Sequence, residues 1–255
     1  MTLTSARRDR GVMLITGGSR GIGAATARLA AAQGWSVAIV YRDRSDEAGA
    51  LVSAIEADGG RARAIAADVA DEAAILRAFE LADRMGRLTA LVNNAAVTGG
   101  VSRVEAVQGA QLDQLLAVNV RAPFLCAREA IRRMSTRHGG QGGAIVNVGS
   151  GASQLGSGGV WVHYAATKGA IDSMTIGLAK EVAAEGIRVN CVRPGLIDTE
   201  IHAFRPPGQL EQIARSVPMG RIGSPEEIAR SIIWLADDEA SPYVTAALID
   251  ARGGY

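Results

Sequence analysis

A chain of 255 residues with 27 basic and 26 acidic side chains carries a formal charge of only +1, so no long-range field draws it to nucleic acid or an anionic membrane. Hydrophobic residues make up 48% and aromatics only 4%, so the core is built from Ala, Val, Leu and Ile. The polar start MTLTSARRDRG leads into an apolar run too short for a signal peptide or a membrane span. Cys126 and Cys191 lie in apolar contexts without metal-ligand spacing, and the expectation is a soluble, reduced, cytoplasmic protein.

Taken in order, apolar runs of strand length alternate with Ala-rich segments of helical period, the pattern of βαβ units and a parallel sheet. Strands are predicted near Val12–Thr16, Ser36–Tyr41, Ala62–Ala67, Ala90–Asn93, Ala144–Val148, Arg188–Val192 and Ala246–Ile249. Helices fall near Gly21–Gln33, Asp46–Asp58, Glu72–Met85, Ala110–Arg137, Tyr164–Glu185 and Pro225–Ala236, with a short one near Gln209–Ser216. Gly34, Gly59, Gly86 and Gly186 stand where C-terminal glycines are expected, and Ser224-Pro225-Glu226-Glu227 reads as a capping box. Neither linker nor repeat interrupts the alternation, so residues 1–255 read as one α/β domain.

Two stretches carry chemistry. The first strand runs into Thr16-Gly17-Gly18-Ser19-Arg20-Gly21-Ile22-Gly23. Glycines between a strand and a helix let backbone approach a pyrophosphate, while the helix start offers free N–H groups and a positive dipole end. An ordinary tight turn is the plain alternative, but three glycines directly after a first strand favour nucleotide binding. The spacing is G-x-x-x-G-x-G, neither G-x-G-x-x-G nor a P-loop. The second stretch, Gly143–Lys168, reads as a strand, a polar loop and a helix that sets Tyr164 and Lys168 one turn apart on one face. An ammonium beside a phenol favours the phenolate and makes the pair a candidate acid/base. Most Y-x-x-x-K pairs are plain helix surface. Here, however, only Lys168 and Lys180 among the 27 basic residues are lysines. Arg, planar and never deprotonated, would replace Lys168 poorly in a compact proton-relay site.

TGGSRGIG, Asn93-Asn94-Ala95, Asn119, Ser150, Tyr164-x-x-x-Lys168 and Arg193-Pro194-Gly195, in this order over nearly the whole chain, resemble the short-chain dehydrogenase/reductase family. The resemblance implies a doubly wound, seven-stranded parallel sheet of order 3-2-1-4-5-6-7, a nicotinamide dinucleotide and an Asn-Ser-Tyr-Lys tetrad. Tyr164 would be the general acid/base, and Lys168 its pKa-lowering partner, also bonded to the nicotinamide ribose. Ser150 would orient the substrate carbonyl, and Asn119 would hold a relay water; on its own Asn119 reads as a satisfied core amide. The cofactor set implied is Gly17, Ser19, Arg20, Gly21, Ile22 and Gly23 in the turn, Asn94 and Ala95 after the fourth strand, Asp68 and Val69 at the adenine, and Pro194, Gly195, Ile197 and Thr199 at the carboxamide, with Tyr164 and Lys168. Asp68 or Asp71 could equally be a helix cap.

Three departures stand out: Ala96 replaces the glycine of N-N-A-G, Ser150 lies one position further from Tyr164 than is common, with Ser153 a weaker alternative, and Ala246 stands where the last strand often has glycine. After the second strand, Tyr41-Arg42, with Arg20 and Arg44, favours NADP(H) over NAD(H), because Arg accommodates a 2′-phosphate where an acid would take a 2′-OH; the alternative is a solvated arginine face. His138, His163 and His202 have no ligand spacing, so no metal is assigned, and His163 is placed outside the relay. Leu155, Trp161, Val162 and a lid over Leu196–Met219, containing Pro206-Pro207-Gly208, are expected to line the substrate cleft. The expected function is hydride transfer between the nicotinamide and a carbonyl or secondary alcohol, of 3-oxoacyl-thioester, sugar or polyol type. The alternative is a dinucleotide sensor without turnover. Arg132, Arg133, Arg137 and Lys180 form a basic patch that could dock an acidic carrier protein or be plain helix surface. The apolar excess of Ala110–Arg137 and Tyr164–Glu185 points to a homo-tetramer.

Overall fold

The structure is a computed structural model and describes residues 9–202 and 208–255. Pro206 and Pro207, read above as part of a lid, lie outside the described residues. Strands β1 (Val12–Thr16), β2 (Ser36–Tyr41), β3 (Arg61–Ala66), β4 (Leu88–Asn93), β5 (Gly143–Val148), β6 (Ile187–Pro194) and β7 (Leu248–Ala251) form one parallel sheet of order β3-β2-β1-β4-β5-β6-β7, as expected. Between them run α1 (Gly21–Ala32), α2 (Ser45–Ala57), α3 (Glu72–Asp83), α4 (Gly109–Leu116), α5 (Ala122–Met134), α6 (Ala152–Leu155), α7 (Val162–Val182), α8 (Gln209–Ala214) and α9 (Pro225–Ala236).

Alternate residues of each strand face opposite helix layers. Val12 and Leu14 of β1 pack with α3, α5 and α7, whereas Met13 and Ile15 pack with α1, α2 and α9. Strand order reverses between β1 and its neighbours β2 and β4, which opens a crevice at the carboxyl ends of the strands, where ligands bind in such sheets. A buried amide chain fixes α7 over the sheet. Asn93 donates to Asn147 at 2.9 Å, and Asn147 donates to Thr175 of α7 at 2.9 Å.

The predicted single helix over Ala110–Arg137 is broken. A π-turn over Ala117–Arg121 separates α4 from α5, whose first turn holds Pro123. Proline lacks the N–H that would continue the ladder, and the wider turn absorbs the mismatch. β7 begins two residues later than expected because Ala246 takes a left-handed φ of 59°, a conformation that favours the glycine expected there. No helix among the described residues is long and apolar enough to cross a membrane.

Candidate active site

Thr16, the last residue of β1, ties the glycine turn to the end of β4. Its Oγ1 accepts from the N–H groups of Asn94 at 3.0 Å and Ala95 at 3.1 Å. Asn94 Nδ2 donates back to the carbonyls of Thr16 and Gly17, both at 2.9 Å. Gly17 and Gly21 have φ of 62° and 51°, which L side chains adopt only with strain. Arg20, at the N-cap of α1, contributes no side-chain cap, so the helix's first N–H groups and positive dipole end are left for a ligand. Gly23 departs from expectation: it does not line the cavity. A Cβ there would stand 2.3 Å from Gly17 O and 2.7 Å from Asn94 Nδ2, so Gly23 serves the close packing of α1 on the turn.

The crevice is a cavity of about 1140 Å³, beyond the roughly 300–1,000 Å³ typical for one small ligand. Apart from Gly23 and Asn119, every residue predicted for the tetrad or the cofactor lines it: Gly17, Ser19, Arg20, Gly21, Ile22, Tyr41, Arg42, Asp68, Val69, Asn94, Ala95, Ser150, Tyr164, Lys168, Pro194, Gly195, Ile197 and Thr199. An uncapped helix start, a glycine cradle and a long cavity fit a dinucleotide. Asp71 caps α3 by accepting from Ala73 N–H at 2.9 Å, and Asp68 accepts from Ala70 N–H at 2.9 Å while facing the cavity. At the β2 end each arginine meets a carboxylate: Arg42 pairs with Asp43 at 2.7 Å, Arg44 with Glu47 at 2.9 Å, and Arg20 with Glu200, which also lies 3.6 Å from Arg44. All three guanidinium groups are about half exposed, so these pairs hold them weakly.

At the other end, Ser150 leaves β5 and Tyr164 and Lys168 arrive on α7. Ser150 Oγ accepts from Ala152 N–H at 3.1 Å, and Ser150 and Tyr164 both line the cavity. Ser153 instead donates to Ser150 O at 3.0 Å. The Trp161 ring packs edge-on to Tyr164 with centroids 5.8 Å apart. Burial pushes the Tyr164 phenol up to about 12, opposed by the Ser150 hydrogen bond. Burial also pulls the Lys168 amine down to about 8, opposed by the nearby Asp172 carboxylate. In the chain alone, burial rather than the lysine sets the direction of the phenol's shift. Lys168 Nζ lies 5.7 Å from the ring centroid and gives its hydrogen bond to Val148 O at 2.7 Å.

Asn119 sits in the π-turn, buried and away from the cavity. Its amide donates to Val97 O at 2.8 Å and Thr167 Oγ1 at 3.1 Å and accepts from Val97 N–H at 2.9 Å. Its side chain thus has the geometry of the satisfied core amide. Leu155, Trp161, Leu196, Ile201, Ile213 and Val217 line the substrate end, whereas Val162 and Met219 do not. Arg252 and Tyr255 also line it, and nothing in the sequence singled them out.

Three of the four residues of the predicted basic patch, Arg132, Arg133 and Arg137, are paired with carboxylates. Arg132 and Arg133 both pair with buried Glu129, Arg133 also with Asp83, and Arg137 with Glu185.

A family model described as Enoyl-(Acyl carrier protein) reductase matches residues 17–255. The uncharacterized oxidoreductase YgfF of Escherichia coli (strain K12) is 48% identical over 245 residues, covering 95% of this chain and 99% of that protein. A short-chain dehydrogenase/reductase from Serratia marcescens BCRC 10948 superposes with a TM-score of 0.90 at 37% identity, covering 98% of this chain and 99% of its own. A blue fluorescent protein from a metagenomic library, in complex with NADPH, superposes with a TM-score of 0.88 at 36% identity and the same coverage. By sequence, by sheet order and by site, this chain belongs to the short-chain dehydrogenase/reductase family and is an NAD(P)-dependent oxidoreductase.

Proposed function

We propose that the enzyme uses NADP(H) in preference to NAD(H) and interconverts a ketone and a secondary alcohol on a small-molecule substrate, in the cytoplasm. The observation that carries this reading is that Ser150, Tyr164 and Lys168, the last two one helical turn apart on α7, line one cavity with the glycine turn. When bound, the dinucleotide supplies or accepts the hydride. The chain's own groups handle the proton. Ser150 and Tyr164 both line the cavity, and a substrate oxygen between them would accept from both hydroxyls. Tyr164, kept protonated by burial, delivers its proton to that oxygen in reduction and takes it back in oxidation. Lys168, still cationic at neutral pH, stabilises the phenolate left behind. Asn119 acts as a positioning residue: it joins the loop after β4 to α7 at Thr167, one residue before Lys168.

Gly17, Ser19, Gly21 and Ile22 would hold the pyrophosphate, Asp68 and Val69 the adenine, and Pro194, Gly195, Ile197 and Thr199 the carboxamide. Arg42, Arg20 and Arg44 support NADP(H), because a 2′-phosphate can replace their exposed carboxylate partners with charge-assisted bonds. Residues 1–255 then act as one domain, with a lid over 196–219. A tetramer is supported by apolar side chains exposed on α4, α5 and α7, among them Leu116, Phe124 and Ile176. The test is nicotinamide absorbance with a panel of ketones and alcohols, run with both cofactors. Substrate-dependent oxidation faster with NADPH is expected, and a chain that binds NADPH yet turns over none of the panel contradicts the reading.

A further inference from the structure

At the carboxyl ends of β6 and β7, next to the tetrad, lies a charge cluster. Arg193 is buried and grips Asp250 through Nε at 2.8 Å and Nη2 at 3.0 Å, and it reaches Asp172 at 3.4 Å. Asp172 also acts on the Lys168 amine. Arg252 reaches Asp250 as well, Nη2 to Oδ2 at 2.8 Å. Three cations, Lys168, Arg193 and Arg252, thus face two carboxylates, Asp172 and Asp250. The cluster is one negative charge short, and two of its cations, Lys168 and Arg252, line the cavity.

Arg252 is held against the reacting end. A Cβ on Gly151, the residue after Ser150, would stand 2.6 Å from Arg252 Cδ and 3.5 Å from its Nη1, and one on Gly195 would stand 2.8 Å from Arg252 Cα. Only these two glycines let the arginine lie so close to the backbone behind Ser150. Its bond to Asp250 is also a shared one, since Arg193 already takes both oxygens of that carboxylate. Arg252 Nε is buried with no hydrogen-bond partner among the described residues. A side chain only 14% exposed, with donors to spare, would be costly to bury in a cavity made for a neutral molecule.

We infer that Arg252 binds an anionic group on the substrate, so that the substrate is an oxo or hydroxy compound bearing a carboxylate or phosphate close to the reacting carbon. The inference rests on the proposed carbonyl chemistry and names the substrate class of that same site. Guanidinium suits either anion, because its planar fork matches both. The position beside Gly151 places the charge next to the carbonyl held by Ser150 and Tyr164 but not on it, which makes Arg252 a specificity-determining residue.

The test compares matched pairs with NADPH and the full chain: acetoacetate against methyl acetoacetate, levulinate against methyl levulinate, and dihydroxyacetone phosphate against dihydroxyacetone. In the unmodified enzyme kcat/KM should favour the charged member of at least one pair by tenfold or more, mainly through KM, and added salt should shrink the preference. Which pair responds identifies carboxylate or phosphate. Arg252→Gln should bring that ratio towards one, and Arg252→Lys should keep part of it. Because both members are read on the same variant, general damage cancels. Without NADPH, the preferred anion should raise the Tm of the unmodified chain and not that of Arg252→Gln. Turnover of neutral members with no preference for charged ones, or a preference that survives in Arg252→Gln, overturns the inference alone. NADPH oxidation by no member of any pair overturns the carbonyl reading, and the inference with it.

Discussion

Replacing Lys168 by Met should change stability in a way that depends steeply on pH. The amine titrates near 8 in the folded chain and at 10.5 when free, a shift worth roughly 3 kcal/mol against folding wherever the lysine is charged in both states. A lowered lysine pKa destabilises fully below about 8, and the cost fades as pH rises to 10.5. Methionine removes this term but leaves Val148 O without its donor, a loss of about 1–3 kcal/mol. Near pH 7 the variant should therefore be about as stable as the parent or up to about 2 kcal/mol more stable, although its turnover collapses. Relative to the parent it should then lose roughly 3 kcal/mol between pH 7 and pH 10.5. Urea unfolding followed by tryptophan fluorescence at several pH values measures this difference, and titrating groups distant from Lys168 cancel between the two proteins. A difference that stays flat across this range would refute the claim that Lys168 is charged at a cost to the fold.

Other outcomes follow from the same geometry. Gly23→Ala forces a methyl to within 2.3 Å of Gly17 O, so the turn must open by at least about 0.7 Å. A loss of about 1–3 kcal/mol, several degrees in Tm, should come with weaker NADPH binding by calorimetry. Arg42→Asp should weaken NADPH at least tenfold and spare NADH, and equal affinities in the unmodified protein would refute the phosphate reading. The Tyr164 phenol, raised to about 12, should stay protonated well past the free value of 10, read as the tyrosinate absorbance of the protein minus that of Tyr164→Phe. Its contribution to stability is unchanged below 10 and is lost as pH climbs towards 12.

The sheet order came with the family resemblance, whereas the alternation of strands and helices was legible because it rests on local patterns, apolar period and glycines at turns. Long-range accommodation was not. The apolar periodicity of Ala110–Arg137 continues through the break, and only Pro123 hinted that the ladder fails there. Gly23 was assigned to the cofactor because spacing cannot tell a glycine that faces a ligand from one that faces a neighbouring carbonyl. Burial was not legible either, because proximity in sequence suggests a direct ammonium–phenol contact. In the fold Lys168 turns to Val148 O, and burial decides the sign. Arg252 was invisible: in a chain that writes arginine almost everywhere, one more carries no signal until β7 sets it behind Ser150.

The central claim, proton transfer through Tyr164 beside a bound nicotinamide, is met most directly by single-turnover oxidation of NADPH in the parent and in Tyr164→Phe with the same ketone. The account predicts near-equal NADPH affinity and a rate lower by roughly 10²–10⁴-fold in the variant, which keeps the ring but not the proton. An undiminished rate in Tyr164→Phe would contradict it.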